Sequence, residues 1–218
     1  MSIATSFTSS PPLPFVSPEV ELSSQEGEIL GPTMVRLSVE QYQKMIEHGI
    51  LEENNRIELL EGILVQKMTK KPAHWISAKL VSDALEELKV AGYFMHRQDP
   101  VDTSDSVPEP DAALVHGAPR DYLLRNPTSA DSCLVVEVAE TSLAHDRGWK
   151  KRIYARAGVP VYWIVNLIDR QVEVFTLPSG PADKPDFAQR QVFGVADEVA
   201  VWVSGVEAGR IAVKDILP

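Results

Sequence analysis

Cysteine is almost missing from this chain: Cys133 is the only one in 218 residues. That excludes an internal disulfide framework and any zinc site built from several cysteines. Cys133 opens an apolar run, so it reads as a small buried hydrophobe, and a cytoplasmic setting is expected. Long hydrophobic runs are missing too. None approaches the ~20 residues needed to cross a bilayer, and the first residues lack the basic start and apolar stretch of a secretory signal. Positive charge is scarce: 21 Lys and Arg stand against 31 Asp and Glu, a net charge of -10. A protein gripping nucleic acid with its whole surface would need the opposite balance, because phosphate binding is largely counterion release by Lys and Arg. The chain has no HExxH, no GxSxG elbow and no GxxxxGK[ST] loop, which sets aside zincins, serine hydrolases and P-loop NTPases.

What is present is ordinary globular composition, 44% hydrophobic and 24% charged, in a length suited to one well-sized core. Residues 1–33 hold five prolines and seven serines without a hydrophobic period, and four acids with no Lys or Arg. They are expected to form a disordered arm, leaving residues 34–218 as the folded domain. "SVEQYQKMIEHG" predicts a short helix with Ser38 and Gln41 as a capping box and Gly49 as its stop. "RIELLEGILVQKM" predicts a hairpin turning at Glu61-Gly62. Apolar residues at helical spacing predict a helix from His74 to Ala91. "YFMHRQ", "DAALV" and "CLVVEVA" follow as strands, then a helix over about 146–157, then the strands "VPVYWIVN" and "QVEVFTL". Residues 178–186 form a loop, and the rest, including "EVAVWV" and "RIAVKDIL", is further β structure. This order predicts an α/β domain with a mixed central sheet flanked by helices.

Two of these apolar strands carry an acid: Asp111 opens one in "EPDAALV", and Glu137 lies inside "CLVVEVAE". A buried carboxylate needs a partner, since an isolated one would rather take up a proton. The helix "DRGWKKRIYARA" offers one. At about 100° per residue, with Trp149 at 0°, Ile153 falls near 40°, Asp146 near 60°, Ala157 near 80°, Lys150 near 100° and Tyr154 near 140°. Lys151, near 200°, lies outside this inward stripe. Asp146 and Lys150 could simply pair at i,i+4. Alternatively Lys150 meets Asp111 and Glu137 at one end of the sheet, and each explains the others' burial. Such a cluster suits metal-assisted phosphodiester hydrolysis. Two carboxylates hold Mg²⁺ or Mn²⁺, and the lysine orients or deprotonates water and stabilises charge. Arg147, Lys151, Arg152 and Arg156 on the same helix form either a local phosphate-binding patch or a solvated face. The five histidines show no zinc spacing, and His74 reads as structural or adjacent to substrate.

"EPDAALV", "LVVEVAETS", Asp146-x3-Lys150-x3-Tyr154 and "GVPVYWIVN" together resemble the Uma-two family of restriction endonucleases, in the PD-(D/E)XK nuclease superfamily, over residues 36–215. The resemblance implies a restriction-endonuclease-like core with extra β-hairpins towards both ends. It also implies one Mg²⁺ or Mn²⁺ site, with Pro110-Asp111 as the "PD" element and Glu137 as the "(D/E)" element. Ala139 stands where that superfamily usually has lysine, so Lys150 matches the displaced lysine. Glu58 in "RIELLEG" matches an upstream acid completing the metal site, and Gln98 in "RQDP" matches a polar position near substrate. The implied activity is DNA hydrolysis leaving 5′-phosphate and 3′-hydroxyl ends, with a homodimer for two-strand cutting. The alternative from another class is a non-catalytic module that keeps the nuclease fold and binds a protein or nucleic acid.

Overall fold

The computed structural model describes residues 35–52 and 55–218. The expectation of a disordered arm over residues 1–33 lies outside the described residues. Helix α1 (Val39–Glu47) begins as expected, with Ser38 Oγ accepting the Gln41 amide and Gln41 Oε1 accepting the Ser38 amide. Strands β1 (Ile57–Leu60) and β2 (Ile63–Gln66) form the expected antiparallel hairpin. Helix α2 (Pro72–Glu87) carries Pro72 in its first turn, where its missing N–H costs nothing. It stops short of Ala91 because Lys89 and Gly92 adopt left-handed backbone, φ 46° and 78°.

Strands β3 (Tyr93–His96), β4 (Ala112–His116), β5 (Ser132–Ala139), β6 (Val161–Asn166), β7 (Gln171–Pro178) and β8 (Phe187–Gly194) make a six-stranded sheet in that spatial order. Only the β5–β6 pair is parallel. A parallel neighbour needs a crossover. Here it is a helical segment of α3 (Leu143–His145), a π-helical turn (Asp146–Lys150) and α4 (Lys151–Arg156). Strands β9 (Glu198–Val203) and β10 (Val206–Ala212) pair separately as a C-terminal hairpin.

The central strands are covered on both faces, so β5 is buried along its whole length and reads as an unbroken apolar run. Side chains alternate across it. Leu134, Val136 and Val138 join the cluster containing Val81 and Leu85 of α2 and Val199, Val201 and Ile211 of the C-terminal hairpin. Val135 and Ala139 join Tyr154 and Ala155 of α4, with Tyr162 and Phe175. Glu137 therefore falls on the α4 side by parity alone. Cys133 is buried, as expected, and burial pushes its thiol up to about 12.

The β1–β2 turn places Glu61 and Gly62 at φ 49° and 74°. A Cβ on Gly62 would lie 2.6 Å from Arg36 Cβ and 2.9 Å from the Leu37 carbonyl oxygen. Its amide donates to the Asp105 carbonyl at 2.9 Å and its carbonyl accepts from the Leu37 amide at 2.9 Å. Gly62→Ala is expected to destabilise the protein by roughly 2–4 kcal/mol through positive φ and backbone overlap. Chemical denaturation of wild type and variant checks this, and a loss below about 0.5 kcal/mol contradicts the tight fit.

Candidate active site

Asp111 sits on the bend just before β4 and is 3% exposed. Its Oδ2 accepts the Val138 amide from β5 at 2.9 Å and lies 3.3 Å from His74 Nε2 on α2. Its Oδ1 accepts from Lys70 Nζ at 3.0 Å. Glu137 is 4% exposed, and its Oε1 accepts from both Lys150 Nζ (2.9 Å) and the Tyr154 hydroxyl (2.8 Å). Lys150 lies 3.5 Å from Glu58 Oε2 on β1, and that oxygen also accepts the Glu109 amide at 3.3 Å. Asp146 is buried, its Oδ2 accepting the Ser142 hydroxyl at 2.6 Å. Lys150 thus takes its ion pairs from Glu137 and Glu58 rather than from Asp146 at i,i+4.

These groups face one cavity of about 120 Å³. Its walls carry the acids Glu58, Glu109, Asp111, Glu137 and Asp146 against Lys67, Lys70 and Lys150, an excess of two negative charges with all of them ionised. The electrostatics follow from that imbalance. Burial, then the neighbouring acids Asp146, Asp111 and Glu58, outweigh Lys150 and push Glu137 up to about 8. Burial likewise raises Asp146 to about 6, despite Lys150 and Ser142. Burial disfavours the Lys150 ammonium, but Glu137, Glu58 and Asp146 outweigh it and hold the amine protonated well above its ordinary range. Burial also opposes ionisation of Asp111, yet His74, Lys70 and the Val138 amide hold it down to about 2. Lys150 is therefore a fixed cation here, which favours charge stabilisation over deprotonating water.

Among the described residues, no three His, Cys, Asp or Glu side chains stand gathered as a ready metal site. The donor chemistry nevertheless fits a hard divalent ion, because Asp111, Glu137 and Glu58 present carboxyl oxygens to a buried cavity whose five acids outnumber its three lysines. As they stand, ammonium groups meet those carboxylates: Lys70 on Asp111, Lys150 on Glu137 and Glu58.

The other expected site residues lie elsewhere. Arg147 is bound to Glu173, a fully buried acid of β7, and lies 3.5 Å from Asp169. Lys151 pairs with Asp186 at 2.8 Å over the Phe175 ring. Arg152 and Arg156 both bind Glu61, at 2.6 and 2.9 Å. None of the four lines the cavity, so the helix's basic residues form neither a free phosphate patch nor a plain solvated face. Gln98 is exposed and borders two neighbouring depressions, one shared with Asp111. Trp149, at the 0° edge of the inward stripe, is half-buried and donates its indole N–H to Glu61 at 2.8 Å. The π turn over residues 146–150 winds more widely than the 100° step assumed for the wheel. Sequence reasoning missed Lys70 as a contact of Asp111, and read His74 as structural or adjacent to substrate without pairing it with Asp111. The signal was there in "KMTKKPAH", three lysines and a histidine packed around a helix start.

A six-stranded mixed sheet with few helices and extra strand pairs matches a nuclease-like α/β fold. Residues 39–202 match the model of the Uma2 family, described as "Putative restriction endonuclease", and the chain belongs to that family. It is also similar to a solved structure, "a putative nuclease belonging to DUF820" from Anabaena variabilis, with a TM-score of 0.60 at 13% identity over 83% of this chain and 97% of that one. That likeness is one of fold. No curated protein matches the chain.

The raised Glu137 and lowered Asp111 give opposite pH dependences. Glu137 binds its proton more tightly folded than unfolded, so its contribution is fully present below about 4.5 and is lost as pH rises through about 8. Asp111 stabilises above about 3.8, and that contribution is lost as pH falls through about 2. Glu137→Gln should therefore gain on wild type in melting temperature between pH 5 and pH 9, by the equivalent of a few kcal/mol. Parallel wild-type and variant profiles over that range contradict the assignment.

Proposed function

We propose that this protein is a divalent-metal-dependent endonuclease that hydrolyses DNA phosphodiester bonds. The observation that carries the reading is the meeting of Lys150 with Glu137 and Glu58 in the cavity that Asp111 also lines. Asp111, Glu137 and Glu58 would hold Mg²⁺ or Mn²⁺, which when bound supplies Lewis-acid polarisation of the phosphoryl group and a more acidic water. The rest is done by this chain's own side chains. Lys150, kept protonated by its acids, places a fixed positive charge where the phosphoryl oxygens gain negative charge. The Val138 amide and His74 hold the Asp111 carboxylate in orientation. Tyr154 fixes Glu137 Oε1 together with Lys150, so that carboxylate cannot swing without breaking two bonds.

Cutting both strands calls for two such sites, hence a homodimer, and the single buried cysteine agrees with a cytoplasmic setting. No helix among the described residues is long and apolar enough to cross a membrane. One observation favours the second reading, a non-catalytic binding module: each site acid already has an ammonium partner, and no three donors are gathered. The two readings part in a nicking assay on supercoiled plasmid with Mg²⁺ or Mn²⁺. Wild type should nick, while Asp111→Ala, Glu137→Ala and Lys150→Ala should each be slower by about 10²-fold or more. Equal rates in all four proteins would mean the cut is made elsewhere, and no cutting by wild type would favour the module.

A further inference from the structure

Arg147, Lys151, Arg152 and Arg156 are committed to acids that do not line the cavity, which leaves open what would hold an anionic backbone over it. The β2–α2 connection answers this. Its backbone is fastened by the Lys67 amide to the Arg56 carbonyl (2.7 Å) and by Arg56 Nη2 to the Met68 carbonyl (2.6 Å). Three lysines project from it. Lys67 pairs with Glu109, Lys70 with Asp111 at 3.0 Å, and Lys71 with Glu140 at 3.3 Å. Lys67 and Lys70 line the cavity, and the Lys70 and Lys71 side chains are 37% and 57% exposed. This connection is thus a cationic strap at the mouth of a net-negative cavity.

We propose that the strap is the phosphate-binding element and that it is unlocked by metal. The inference rests on the nuclease reading for Asp111 as a metal ligand and adds to it the residues that contact the substrate backbone. A divalent ion and the Lys70 ammonium compete for the same buried carboxylate, so one leaves when the other arrives. The Lys70 end of this pair is open to water, so the ammonium recovers hydration as it leaves the carboxylate. Lys70, once released, joins Lys71 at the surface beside the cavity, where a nucleic-acid phosphate is the complementary partner. Metal binding and DNA binding are then positively linked through one side chain. This also removes the conflict between an acidic chain and a polyanionic substrate, because local positive charge appears only in the metal-bound state.

The test uses the full chain, Ca²⁺ titrated by calorimetry, and a fluorescent DNA duplex followed by anisotropy across a KCl series. Lys70→Met keeps the apolar stem and removes the competitor, so it should bind Ca²⁺ about three- to fivefold more tightly than wild type. Lys70→Met with Lys71→Met should bind the duplex more weakly in Ca²⁺, with the slope of log K against log[KCl] reduced by about 2. Asp111→Asn, which frees Lys70 without metal, should bind duplex without Ca²⁺ more tightly than wild type does. Unchanged or weaker Ca²⁺ binding in Lys70→Met, an unchanged salt slope in the double variant, or wild-type DNA binding by Asp111→Asn each overturns the exchange. Its failure is separable from that of the nuclease reading. All three shifts with no plasmid nicking by wild type would remove hydrolysis and keep the exchange. Nicking lost in Asp111→Ala with no Ca²⁺ effect of Lys70→Met would do the reverse.

Discussion

The buried contact between the Lys150 ammonium and the Glu137 carboxylate, 2.9 Å apart with both side chains under a tenth exposed, sets conditions the rest of the molecule must meet. Removing two charges from water is expensive, and their attraction offsets that only with good geometry and further hydrogen bonds. Here the supplements are the Tyr154 hydroxyl on the same Glu137 oxygen and Glu58 on the other side of the amine. Taking away one partner would strand the other, at a cost of roughly 3–5 kcal/mol by analogy with other buried pairs. A purely structural core would be better served by apolar residues of similar volume. Three acids around a single lysine, Glu137, Glu58 and Asp146, therefore make poor architecture, and their gathering is explained better by a functional role.

Holding that cluster requires three separate parts of the fold to agree. Strand parity turns Glu137 to the α4 side, beside Tyr154 and Ala155. The parallel β5–β6 step forces a crossover, and the π turn inside it ends at Lys150, bringing the amine back onto the strand it has just left. The β1–β2 hairpin then brings Glu58, and its turn residue Glu61 ties it to the same helix by accepting from Trp149, Arg152 and Arg156. Arg152 and Arg156 thus act as rivets for the hairpin. Their work is to hold the hairpin that carries Glu58 against the helix that carries Lys150.

Much of this was legible in the sequence because burial of charge is a conspicuous anomaly. Asp111 and Glu137 stood out in apolar runs, and a helical wheel marked Lys150 as facing them. The order of strands and helices was readable for the same reason: hydrophobic periods of 2 and 3.6 announce their elements. The partners of Arg147 and Lys151 were not readable. Glu173 and Asp186 lie 26 and 35 residues further along the chain, on or beside strands whose pairing no local pattern specifies. Lys70 escaped notice because exposed lysines before a helix are commonplace. Its meaning comes only from the acid it touches, 41 residues away. Nor was the π turn over residues 146–150 readable, a local insertion that no hydrophobic period encodes.

The central claim is that Asp111 and Glu137 share one cation beside Lys150. Anomalous scattering from Mn²⁺ in crystals of the wild-type protein tests it most directly. A single strong peak bonded to oxygens of both Asp111 and Glu137, with the Lys150 amine still beside the cavity and Lys70 withdrawn from Asp111, is the expected result. Mn²⁺ bound only at surface acids, with the Lys70–Asp111 and Lys150–Glu137 pairs intact, would contradict it.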